Sequence, residues 1–210
     1  MKTMVCIPCQ DRIHTEFVKS LIRLQPKGET FTALTEGTLV YKSRDDMAER
    51  AVAEETDYTL WLDSDMVFPS TLMIDLMEDM KGRDMVTGVC HMRREPYKPC
   101  IWKSLKKGLL PEENQIEGYD DYPRDRIFEI EGCGMACTMM RTDVLKTVAE
   151  ECHDWFSPLP GYGEDLAFCI RARKCGFKIH CDPKLQIGHK AATIVTDETF
   201  QAFRKAGGLK

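Results

Sequence analysis

Between residues 2 and 89 the chain alternates short apolar runs with longer amphipathic ones, and this alternation narrows the fold more than any other feature. Residues 2–8 form an apolar run ending at Pro8, which reads as a buried first strand. Phe17, Leu21 and Leu24 recur at helical spacing within residues 14–24. Residues 29–34 read as a second strand, closed by Gly37. Over residues 44–56, Met47, Ala48, Ala51 and Val52 share one side of an otherwise charged helix. Tyr58 to Leu62, rich in aromatic and branched residues, reads as a third strand. Pro69 opens a helix over residues 70–81, with Leu72, Leu76, Met77 and Met80 inward. Asp84 to Val89 completes the series as a fourth strand. The order β-α-β-α-β-α-β predicts a single α/β, Rossmann-like domain with a mostly parallel central sheet flanked by helices. Ligands of such sheets bind at the carboxyl ends of the strands. That rule places Pro8, Cys9, Gln10 and Asp11, and the residues after Leu62, on the working edge.

The remainder is less regular. Residues 97–103 suggest a strand, and residues 104–126, rich in charge and turn formers, a long loop or flap. Strands are expected at Ile127–Ile130 and Met135–Met140, around Gly132 and Gly134. Thr142 is placed to cap a helix reaching Glu151. A helix from Glu164 to Cys175 ends at Gly176, with a short strand next over Phe177–Cys181. The tail after Lys190 should hold one more short helix.

With 210 residues, 43% of them hydrophobic, the chain is long enough for one packed core. A formal net charge of −5 argues against general nucleic-acid binding, which favours a basic balance. The short basic runs Arg93-Arg94 and Lys106-Lys107 are either solvated surface or a basic flap over a phosphate-bearing ligand. No stretch approaches the roughly 20 apolar residues of a membrane span. With no secretory leader recognisable, the expectation is a cytoplasmic protein with reduced thiols. The ten cysteines fall into no familiar zinc spacing, and Cys6-Ile7-Pro8-Cys9 lies too near the start for a thioredoxin-like motif, so packing is their default role.

The strongest chemical signal is Trp61-Leu62-Asp63-Ser64-Asp65. A buried strand runs into two aspartates at alternate positions, which in extended chain point the same way. Two close carboxylates repel unless a proton or cation lies between them, and a hard divalent ion suits oxygen ligands. The competing reading is that Asp63 caps the next turn and Asp65 is solvated.

Four segments, in order, resemble the glycosyltransferase A-type fold and, within it, the family 2-like enzymes. Val5-Cys6-Ile7-Pro8 is similar to the opening strand beside the nucleotide base, and Lys42 to Ala48 resembles the family's A-R-N-x-A helix start, with Asp45 where Asn is usual. Leu62 to Asp65 looks like the D-x-D metal motif. Gly163-Glu164-Asp165 resembles the G-E-D segment on the acceptor side, and His189 the late histidine of the metal site. The resemblance covers roughly residues 2–190. It implies a catalytic domain over residues 1–190, with a nucleotide-binding half (1–90) and an acceptor half (91–190), and a tail over 191–210.

That resemblance implies a glycosyltransferase moving a hexose-like sugar from a nucleotide-diphosphate sugar (UDP favoured, GDP possible) to a hydroxyl on a glycan, small molecule or protein. Mn²⁺ or Mg²⁺ would be bound by Asp65, His189 and Asp63, with Asp63 contacting the ribose or meeting the metal through water. Pro8 and Asp11 would lie beside base and ribose, Arg44 would meet the diphosphate or the base, and Gly132 would floor the sugar pocket. In an inverting displacement Asp165, with Glu164 beside it, would take the acceptor proton; in a retaining one Asp165 would hold the acceptor. The alternatives are a nucleotidyltransferase, which residues 8–15 disfavour by lacking glycine, and a non-catalytic nucleotide-sugar-binding relative.

Overall fold

The computed structural model describes residues 1–10, 12–37, 39–106, 113, 115–185, 187–191 and 194–208. In chain order the elements are β1 (Lys2–Cys9), α1 (Thr15–Arg23), β2 (Glu29–Glu36), α2 (Val40–Ala53), β3 (Tyr58–Leu62), β4 (Met66–Val67), α3 (Leu72–Asp79) and β5 (Met85–Gly88). Next come β6 (Ile101–Lys106), β7 (Gln115–Gly118), β8 (Phe128–Ile130), β9 (Gly132–Cys133), β10 (Cys137–Arg141) and α4 (Thr142–Cys152). The chain closes with α5 (Glu164–Lys174), β11 (Ile179–Asp182), β12 (Gly188–Lys190), β13 (Ile194–Val195) and α6 (Asp197–Lys205).

The central sheet has seven strands in the order β2-β1-β3-β10-β5-β11-β8. β2, β1, β3, β5 and β11 run one way, while β10 and β8 run against them. The sheet is thus mostly parallel, as expected, with one correction. The fourth strand does not join the third directly, because β10 enters between them and pairs antiparallel with both. Its apolar run, Cys137 to Met140, suits a strand buried on both faces in either direction, so sequence pattern alone does not place it.

β1 is buried from Thr3 to Cys9. Met4 and Cys6 face one core with Trp61, Met47 and Ala48, and Val5 and Ile7 face the other with Leu60, Leu62, Leu72 and Leu76. α2, α4 and α5 thereby cover one side of the sheet, and α1 and α3 the other. Two small sheets, β13-β12-β4 and β7-β6-β9, lie outside the main one. β4 brings Met66 into register with His189 of β12, tying the segment after the aspartates to the late histidine.

Thr142 is the first helical residue of α4 rather than its cap. Its hydroxyl instead lies 2.8 Å from that of Thr56, a buried polar pair that ties the start of α4 to the segment after α2. The expected flap over residues 104–126 contains β7, and residues 107–112 and 114 lie outside the described residues. The tail helix α6 is docked: Phe200 is fully buried and Asp197 accepts a hydrogen bond from the Tyr122 hydroxyl (2.9 Å). None of the helices is long and apolar enough to cross a membrane, among the described residues.

Candidate active site

Because β1 and β3 are parallel neighbours, Pro8 and Asp63 emerge at the same edge of the sheet. A cleft of about 400 Å³ opens there, lined by Pro8, Arg44, Asp63, Asp65 and Glu164 together with Gln10, Arg12, His14 and Arg93. Asp11, expected in the same place, lies outside the described residues.

The chain turns immediately after β3, the Met66 amide donating to the Asp63 carbonyl at 3.1 Å. Asp63 and Asp65 therefore sit on a turn and not in extended chain, and their carboxylates have different partners. Asp63 Oδ1 accepts from Arg44 Nη2 at 2.8 Å. Asp65 Oδ2 lies 3.2 Å from His189 Nε2 and 2.9 Å from Arg93 Nη1. Burial works to raise the Asp65 pKa, but the His189 hydrogen bond and the nearby charges of His189, Arg93 and His14 outweigh it and hold the carboxyl below its ordinary value.

His189 Nδ1 lies 2.7 Å from the His91 carbonyl oxygen. A carbonyl can only accept, so Nδ1 carries a proton. Nε2 then faces the Asp65 carboxylate as a bare lone pair or as the second N–H of an imidazolium. Two acceptors 3.2 Å apart require a positive charge between them, either a proton or a cation. A histidine fixed through its far nitrogen beside a carboxylate is the usual preparation of a metal ligand. Asp65 and His189 thus fit a divalent ion, whereas Asp63 is turned to Arg44. Among the described residues, no group of three or more His, Cys, Asp or Glu side chains is arranged as a metal cage.

Arg44 is the floor of this cleft. Its side chain is only 2% exposed and lies beside the packed rings of Trp61 and Phe156, 6.0 Å from each centroid, the rings themselves being 5.1 Å apart. It bonds Asp63 and comes within 3.9 Å of Glu164, so one buried cation holds carboxylates from the end of β3 and the start of α5. Asp45 supports it from the next position by accepting the Phe156 amide at 2.9 Å. Arg171, further along α5, bonds the Trp155 and Ser157 carbonyls and Asp154.

Asp165 is the residue after Glu164 at the start of α5. Burial first, then the charge of Glu164, pushes its pKa up to about 6, with Asp63 adding a smaller push. Two glycines lie beside it: a Cβ built at Gly163 would be 3.3 Å from Asp165 Oδ1, and one at Gly134 3.6 Å from Asp165 Oδ2. Gly132 is elsewhere, its missing Cβ facing Leu105 (2.7 Å) and Leu166 (3.0 Å) in the core and not the cleft. Arg93 is the site residue whose place the sequence left open, since a paired arginine and a solvated one look alike in a basic run.

The seven-stranded, mostly parallel sheet flanked by helices is a glycosyltransferase A-like fold. Among solved structures, the chain resembles A197 from STIV, with a TM-score of 0.63 at 16% identity over 90% of this chain and 86% of that one. It also resembles TarS of S. aureus, a glycosyltransferase. Against residues 1–349 of TarS the TM-score is 0.55 at 14% identity, covering 91% of this chain and 59% of that fragment. Against a longer TarS chain it is 0.55 at 16% identity, covering 98% of this chain and 39% of that one. No protein-family model and no curated protein sequence matches the chain.

Proposed function

We propose that the protein is a metal-dependent glycosyltransferase that takes a nucleotide-diphosphate sugar into the Pro8–Asp63 cleft and transfers the sugar to an acceptor hydroxyl. The observation that carries this reading is the Asp65–His189 pair, locked by the His91 carbonyl, at the carboxyl edge of a glycosyltransferase A-type sheet. Asp65 and His189 would hold Mn²⁺ or Mg²⁺, and Asp63 would contact the ribose or meet the metal through water. Such an ion would supply positive charge beside the departing diphosphate.

The other groups act from their own positions. Pro8 bounds the nucleotide side of the cleft. Arg44 holds the Asp63 carboxylate by a 2.8 Å ion pair and lies 3.9 Å from that of Glu164. Asp165, with a pKa of about 6, is ionised at neutral pH yet basic enough to accept a proton. As the acceptor oxygen bonds to the anomeric carbon, its proton goes to Asp165 and the electron pair of the breaking bond leaves with the diphosphate. This displacement inverts the anomeric centre.

The test is hydrolysis and transfer from a panel of UDP- and GDP-sugars, with and without Mn²⁺. Turnover with at least one donor, lost on chelation, is the expected result. Absence of turnover across the panel, together with absence of nucleotide binding, would count against the assignment.

A further inference from the structure

Asp65 Oδ2 is shared: His189 Nε2 approaches it from β12, and Arg93 Nη1 approaches it from the segment between β5 and β6. That segment is closed by backbone hydrogen bonds from Cys100 to Cys90 (2.7 Å) and from Met92 to Lys98 (2.9 Å), which hold Arg93 at the rim of the cleft. The two arms differ in freedom. His189 is 15% exposed and pinned through Nδ1, whereas the Arg93 side chain is 57% exposed.

We infer that Arg93 is a diphosphate-binding residue whose guanidinium competes with the divalent ion for Asp65, giving up that carboxylate when the ion binds and turning to the diphosphate of the donor. The inference rests on the metal reading of Asp65 and His189 and adds a residue to it. A divalent cation and a guanidinium cannot share one carboxylate oxygen without strong repulsion. Of the two partners of Oδ2, only the exposed arm is free to leave. A guanidinium offers paired N–H donors suited to phosphate oxygens, and Arg93 lines the same cleft as Pro8 and Asp63. The diphosphate supplies the negative charge that Arg93 loses on leaving Asp65.

Competition gives two binding constants that move in opposite directions. Arg93→Gln should bind Mn²⁺ alone about threefold more tightly, because the ion no longer displaces a surface ion pair. The same variant, saturated with Mn²⁺, should bind UDP or GDP about tenfold more weakly, because charge-assisted hydrogen bonds to phosphate are lost. Arg93→Lys should fall between Arg93→Gln and the original protein on both measures. Calorimetric titration of the whole chain with MnCl₂, then with each nucleotide, reads both constants, and circular dichroism checks that the exposed substitution leaves the fold intact. Unchanged constants, or a loss of affinity for both ligands, overturn the role of Arg93 while leaving the metal site standing. Failure of the original protein to bind Mn²⁺ overturns the metal reading, and the competition with it.

Discussion

Arg44 and Asp63 form an ion pair of 2.8 Å in which the guanidinium is buried and the carboxylate is one-third exposed to the cleft. The asymmetry predicts unequal losses. Asp63→Ala strands a buried cation whose nearest remaining carboxylate, Glu164, is 3.9 Å away, and should cost about 3 kcal/mol. Arg44→Met leaves an aspartate that water can reach and should cost about 1 kcal/mol. The double variant should be more stable than Asp63→Ala alone. Denaturant unfolding of the three proteins checks the order, and equal losses for the two single variants would contradict it.

Asp165 predicts a signed pH effect. Its folded pKa of about 6 lies above the ordinary value of 3.8, so the folded chain binds the proton more tightly than the unfolded one. Its contribution to stability is therefore greatest below pH 3.8 and declines as pH rises through about 6. Asp165→Asn should raise the melting temperature at pH 7.5 and leave it nearly unchanged near pH 4. In the same variant, transfer should fall by a factor of about a hundred or more while donor affinity is retained. In the unsubstituted protein, transfer should rise with pH as this group ionises. A variant that weakens donor binding as much as transfer would remove Asp165 from the role of base.

Much of the site was legible because central strands leave an unmistakable trace. Thr3 to Cys9 and Thr59 to Leu62 are buried on both faces, so each reads as an unbroken apolar run, and the residues just beyond each run must lie at the sheet edge. The pairing of β10 between β3 and β5 left no such trace, since an apolar run does not state its direction. Alternate spacing suggested that Asp63 and Asp65 aim at one point; both line the cleft, but the turn at Ser64 sends them to separate partners. Arg93 needed the third dimension. So did the distinction between Gly132 and Gly134, which rests on which side of the chain is crowded.

The two glycines make that distinction testable. A methyl group at Gly132 meets the ends of Leu105 and Leu166 at 2.7 and 3.0 Å, so Gly132→Ala should cost about 1–2 kcal/mol through overpacking. At Gly134 the nearest atoms, Asp165 Oδ2 and Cys100 Cβ, are both at 3.6 Å, an ordinary contact. Gly134→Ala should keep its stability within about 0.5 kcal/mol and instead reduce transfer. Thermal melts and transfer rates of the pair decide it, and the reverse pattern would place Gly132 in the sugar pocket after all.

The Cys6-Ile7-Pro8-Cys9 segment should be chemically quiet. Cys6 is fully buried, and burial pushes its thiol well above the ordinary range despite the nearby charges of Arg44 and Arg50. Cys9 is 7% exposed and its thiol donates to the Arg12 carbonyl at 3.3 Å. Titration of the native protein with an aromatic disulfide should label the half-buried Cys152 and Cys175 first, and Cys6 only on unfolding. Early reaction of Cys6 would revive a redox role.

The metal reading of Asp65 and His189 meets its most direct test in Mn²⁺ titration of Asp65→Ala and His189→Ala beside the unsubstituted chain. Each variant should remain folded and lose Mn²⁺ affinity by about a hundredfold or more, taking donor turnover with it. Undiminished Mn²⁺ binding in both variants, or full turnover in the presence of a chelator, would contradict the account.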